Sequence, residues 1–256
     1  MNASTMPSHL VGHAAHNNAL WCDAVCKVHG RPGEFRDGLW LNRSGTPQYY
    51  PDAVTLAGPE AAQEQLLTIS ALIEKPRAEA WAVKDSFSCL DLGFLGFRLL
   101  FEAEWIGLSL PALELDPLPP GYSLTEIHLA SELNVWENVW RGDESSAAGE
   151  PNGGIFRASL LTQHGIKFIA IRCDNRIVGG GILNEGGDVI GVSNVFASDV
   201  EPEIIWQGIL AHAVDYFPGT TVVGYESGRD LDTALRSGFR TLGPLRVWLS
   251  ACREHA

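Results

Sequence analysis

The run SNVFASDVEPEIIWQGILAHAVDYFPG, residues 193–219, joins the end of a strand to a helix through a short break. Junctions of this kind hold phosphate when glycines let the backbone approach and the first helical N–H groups point at the anion. Here the break carries Asp199, Glu201 and Glu203, and the first glycine, Gly208, comes only after Gln207. Carboxylates in a first helical turn stabilise the turn by about 0.3–1 kcal/mol each, and they repel a diphosphate. The segment therefore reads either as an ordinary acid-capped helix or as a phosphate site that leans on other contacts. Cys22, Cys26 and His29 have the spacing C-x3-C-x2-H, but no second pair follows. On a helix the two cysteines share a face, as buried thiols do. His212 sits among apolar residues in the helix and reads as a packing residue. Asp230 and Asp232 read as helix-start residues. Gly179-Gly180-Gly181 reads as a strand bulge or a close backbone approach. Trp136 and Trp140 share a helix face and read as core.

The elements that must position these residues divide into two halves. At 256 residues, 45% hydrophobic and 19% charged, the chain can bury a sizeable core as one large or two small domains. Its net charge of −13 disfavours a phosphate-rich polymer as partner, so nucleic acid is not expected. A cationic small molecule such as an amine would be drawn in. Five scattered cysteines do not suggest a disulfide framework. No apolar run reaches the roughly 18 residues of a membrane span, and the first residues lack the pattern of a signal peptide. A cytoplasmic protein without membrane contact is the expectation. Residues 1–14 read as a disordered tail and 15–110 as an α/β subdomain. The proline-rich LPALELDPLPP marks a linker at 111–120, and 121–256 reads as a second domain. That second domain reads as β-α-α-β-β-β-α-β-α-β, an α+β arrangement with a mixed sheet. Its three central strands form a meander through Asp174-Asn175 and Gly186-Gly187.

The halves carry a similar signature. KDSFSCLDLGFLGFRLLFEAEWI in the first parallels YESGRDLDTALRSGFRTLGPLRVWL in the second. Asp85-Ser86 matches Glu226-Ser227, Leu90-Asp91 matches Leu231-Asp232, and Gly96-Phe97-Arg98 matches Gly238-Phe239-Arg240. A duplicated unit with a shortened first copy accounts for this.

With its order of elements, its meander and its closing strand, short helix, Gly-Phe and strand, the stretch 121–251 resembles the GNAT superfamily of acyl-CoA-dependent N-acyltransferases. The first half then resembles a truncated, degenerate copy in tandem. The resemblance implies acetyl-CoA or another acyl-CoA as co-substrate, held in a gap between the family's fourth and fifth strands. Those match residues 188–197 and 221–226. Asn194, Val195, Phe196 and Ala197 are the positions whose backbone would meet the pantetheine arm. Gln207, Gly208 and Ser227 are what remains of the family's other cofactor contacts. The family's phosphate-loop glycines are otherwise replaced by acidic residues. The tyrosine acid common four residues before Gly-Phe is replaced by Ala234. Glu226, at the strand end beside the thioester, is then the general base, with Ser193 and Asn194 placed to orient water. Tyr225 is the displaced acid, although strand alternation lets only one of Tyr225 and Glu226 face the gap. The acceptor is a small-molecule amine, and a homodimer is left open. The alternative is a catalytically inactive tandem protein that binds a small ligand or a protein partner in the old cleft.

Overall fold

Leu10, Ala14, Trp21 and Val25 lie on one helical face, and all are buried in the helix they build, α1 (Leu10–Val28). The computed structural model describes residues 9–74, 79–113, 115–143 and 154–251. α1 starts within the expected tail, because Leu10 and Ala14 already belong to its apolar face; residues 1–8 of that tail, like Cys252, lie outside the described residues. Cys22 and Cys26 are buried in α1, and burial pushes their thiols up to about 11 and about 12. No described helix is long and apolar enough to cross a membrane.

The chain forms two compact units. One contains the residues up to 105 and those from 242 on; the other contains 106–241. In the first, β1 (Glu34–Arg36) and β2 (Leu39–Leu41) form a hairpin through Asp37-Gly38. β3 (Ala53–Thr55) pairs antiparallel with β2. It leads through α2 (Ala62–Ile73) into β4 (Ala82–Asp85), which runs parallel to β3. Leu39, Leu41, Ile69, Leu72, Val83, Leu90 and Phe97 pack together as the core of this unit. β5 (Phe97–Ser109) begins in the first unit and crosses into the second after Trp105.

In the second unit β6 (Tyr122–Glu126) is followed by α3 (Ala130–Trp140). The meander is β7 (Ile166–Cys173), β8 (Arg176–Gly186) and β9 (Val189–Ala197). β6 to β9 pair antiparallel in sequence order. Asp174 and Asn175 both take positive φ, 49° and 63°, as a two-residue hairpin turn requires. Where the second of the two helices expected before the meander would stand, the chain makes a 3-10 turn, Ala158–Thr162. After β9 come α4 (Pro202–Tyr216), β10 (Thr221–Glu226), α5 (Gly228–Arg236) and β11 (Arg240–Ser250). β10 lies parallel to β9. β11 belongs to the first unit from Leu242 on, where it pairs antiparallel with β4.

The dividing points thus fall inside β5 and near the start of β11, not in the proline-rich stretch at 111–120. That stretch is tied to the second unit. Leu113 and Leu115 pack on its core, and the Gln207 side chain donates to the carbonyls of Asp116 (2.6 Å) and Pro117 (3.1 Å). Prolines deny the segment a strand ladder, but its leucines still bury.

The two Gly-Phe turns are built alike. Gly96 and Gly238 both adopt positive φ, 82° and 100°, which glycine takes without a steric cost. Phe97 N–H donates to Leu92 O and Phe239 N–H to Ala234 O, each at 3.2 Å. Gly96 N–H donates to Gly93 O and Gly238 N–H to Leu235 O in the same pattern. Both phenylalanines are buried. Each unit also places a parallel strand pair around a helix just before this turn.

Candidate functional site

The parallel ladder between β9 and β10 is short. It joins Val222 with Ile190 and Val223 with Gly191, yet β9 runs on to Ala197 and β10 to Glu226. A bulge on the other edge of β9 accompanies this divergence. β8 pairs Gly180 with Phe196 and Ile182 with Ser193, so Asn194 and Val195 together oppose Gly181. Asn194 takes φ 53°, the left-handed region that asparagine tolerates better than most residues. An extra residue in one strand bends it and re-aims its side chains. The three glycines of β8 fit this geometry. A Cβ on Gly181 would meet Ile209 Cδ1 of α4 at 2.7 Å, and one on Gly180 would meet Trp136 Nε1 of α3 at 2.6 Å. α3 and α4 therefore press on opposite faces of the sheet at the bulge.

A cavity of about 110 Å³ opens between the diverging strand ends. Val195, Phe196 and Ala197 line it from β9, Pro202, Ile205 and Trp206 from α4, Glu226 from β10, and Asp230 and Thr233 from α5. The walls are mostly apolar, and the two acids are the only ionisable groups among the described lining residues. Burial pushes the Glu226 carboxyl up to about 8, and the neighbouring Asp230 carboxylate adds to the shift. No described residue donates a hydrogen bond to Glu226. Ser193 Oγ, beside the bulge, is buried without a hydrogen-bond partner among the described residues.

Four of the residues expected at the site, Val195, Phe196, Ala197 and Glu226, line this cavity together. Asn194 stands at the bulge that shapes it. Tyr225 is not among the lining residues, as the alternation of β10 requires once Glu226 faces the cavity. Ser227 is the exposed residue that opens α5, and its side chain caps no N–H. Gln207 is held by the carbonyls of residues 116 and 117. Gly208 lets α4 sit on β7, since a Cβ there would overlap Ile171 Cδ1. Trp206 and Thr233 line the cavity without having been singled out in the sequence, and Asp230, read as a helix-start residue, lines it too. Asp230 and Thr233 are three apart in α5 and so share its face, a spacing that could have been noticed. Trp206 carried no such signal.

The helix start next to the cavity brings its own anion. Glu201 takes the N-cap position, Pro202 has no N–H to give, and Glu203 lies in the first turn. The Glu203 carboxylate accepts from Arg236 Nε (2.8 Å) and from its own backbone N–H. These bonds, the arginine's first, hold its pKa below the usual range. Ala234, where a tyrosine acid would stand, is fully buried.

The sequence matches no family model and no curated protein. Solved structures do resemble the fold. A GCN5-related N-acetyltransferase from Kribbella flavida superposes with a TM-score of 0.59 at 12% identity, over 97% of this chain and 96% of that one. A putative GNAT-family acetyltransferase from Novosphingobium aromaticivorans gives 0.54 at 12% identity, over 93% and 97% of the two chains. A tandem GNAT protein from the clavulanic acid biosynthesis pathway gives 0.52 at 10% identity, over 85% and 83%. At such identities the likeness is one of fold: a mixed α+β sheet of GNAT type, with a tandem protein among its relatives in shape.

Proposed function

We propose that the protein is an N-acyltransferase that moves an acetyl or other short acyl group from an acyl-CoA thioester to a small-molecule amine. The observation that carries this reading is the Glu226 carboxyl. It faces a mostly apolar cavity, shared with Asp230 and Thr233, at the open end of a parallel strand pair, unpaired by any described residue and shifted to about 8. The thioester supplies the acyl group: a C–N bond forms as the C–S bond breaks and the sulfur leaves as thiolate. Glu226 takes the proton that the amine nitrogen gives up, and a group with a pKa near the working pH does this best. β9 runs past the end of its ladder with β10, so the edge facing the gap can offer N–H and C=O groups to an amide-bearing arm. Ser193, whose Oγ is buried without a described partner, and Asn194 at the bulge would then orient a water in the proton path. α5 supplies no acid, because Ala234 occupies that place. The thiolate then leaves as the anion.

A second reading is favoured by the same absence and by the acidic start of α4. In it the cleft binds a ligand or partner without chemistry. Calorimetric titration with acetyl-CoA at low salt, beside desulfo-CoA, followed by thiol release in the presence of a panel of amines, separates the two. Binding with amine-dependent thiol release supports the transferase. Binding without release supports the second reading, and no heat at millimolar ligand sinks the acyl-CoA assignment.

A further inference from the structure

The two ends of a CoA thioester make different demands, and the second unit meets only one of them. The acyl and pantetheine end carries no phosphate and needs apolar walls with backbone to pair, which the cavity between β9 and β10 offers. The nucleotide end carries a diphosphate and a further phosphate. It needs cations, or free N–H groups at a helix start. At α4 the carboxylates of Glu201 and Glu203 stand at that start, and Pro202 removes one donor. Glu203 occupies its own N–H and the Arg236 guanidinium, so the nearby cation is already paired. Gln207, one turn further along α4, is spent on the carbonyls of residues 116 and 117. Among the described residues no lysine or arginine lines the cavity, and Arg229 in the first turn of α5 is followed closely by Asp230 and Asp232. A phosphate placed there would meet carboxylates at short range, where screening is weakest.

We infer that this site recognises its donor through the thioester and pantetheine arm alone, so that its substrates include acyl-thioesters lacking the phosphoadenosine diphosphate moiety. The inference rests on the transferase reading above and narrows its donor class.

The test compares acetyl-CoA, S-acetyl-pantetheine and adenosine 3′,5′-diphosphate by titration with the whole protein, at low salt and at about 0.5 M salt. The expected result is dissociation constants for the two thioesters that agree within about threefold, little change with salt, and no binding of the nucleotide alone. Acetyl-CoA binding tenfold or more tighter than S-acetyl-pantetheine, or an affinity for it that falls steeply with salt, would overturn the inference and leave the transferase reading standing. If neither thioester binds, both fall. The double variant Glu201→Gln, Glu203→Gln removes the helix's own anions and releases Arg236. It should improve acetyl-CoA several-fold over S-acetyl-pantetheine; equal changes for both donors would contradict the electrostatic account.

Discussion

Each unit ends a parallel strand pair with an acid followed by a serine, but the two ends are finished in opposite ways. In the first unit β3 and β4 are closed together. Ser86 N–H donates to Thr55 Oγ1 at 2.7 Å, and Trp105 Nε1 donates to Ser86 O at 2.8 Å. Asp85 is fully buried, and it accepts Leu90 N–H at 2.8 Å and further backbone N–H groups of the following turn. Its burial raises its pKa, and these bonds oppose the rise. In the second unit β9 bulges away from the ladder, a cavity stands between the strand ends, and Glu226 has no described donor. Corresponding positions of the two units thus hold a saturated carboxyl that ties a turn and one with no described donor. A buried polar group is quiet when its partners are built in, and reactive when they are withheld.

The contrast is broken most severely at Glu226. Glu226→Gln should lower the rate of amine-dependent thiol release about 10²- to 10³-fold with little change in thioester affinity. The wild-type rate should rise with pH through about 8, a limb that the variant loses in a pH–rate profile. Stability should show the same group from the other side. Its folded pKa lies above the usual carboxylate value, so the stability it contributes is fully present below the unfolded pKa and is lost as pH rises through about 8. Thermal or urea unfolding should therefore find Glu226→Gln gaining on the wild type between pH 4 and pH 9 by an amount on the order of 3 kcal/mol. Asp85→Asn, the matching change in the first unit, should cost about 2 kcal/mol of stability and leave the donor affinity alone. A larger effect on binding than on unfolding would mean that the closed pair is not merely structural. Thr55→Val, which leaves Ser86 N–H without its acceptor, should cost about 1–2 kcal/mol in urea unfolding.

The Gly-Phe turns were legible because a left-handed turn before a buried aromatic narrows the choice of residues, and the same choice appears at Gly96-Phe97 and Gly238-Phe239. The meander was legible for a similar reason, in Asp174-Asn175. The bulge was legible only from one side: Gly179-Gly180-Gly181 pointed to a bulge or a close backbone approach in β8, but on β9 the left-handed position is taken by Asn194 rather than glycine, and the geometry depends on two helices pressing on β8. Glu226 could be placed at a strand end, but not its raised pKa, which comes from burial among residues of three other elements. Gln207 lost its expected freedom to carbonyls some 90 positions away. The division of the chain was hidden for the same reason: proline content reports local stiffness, not which core a leucine joins.

β11 gives residues 242–250 to a unit whose other described strands are all made before residue 110. β4, paired with β3 on one edge, therefore takes its partner on the other edge from a segment more than a hundred residues later in the chain. A truncation before Leu242 would remove a strand from the unit at the far end of the chain, not from the one just completed.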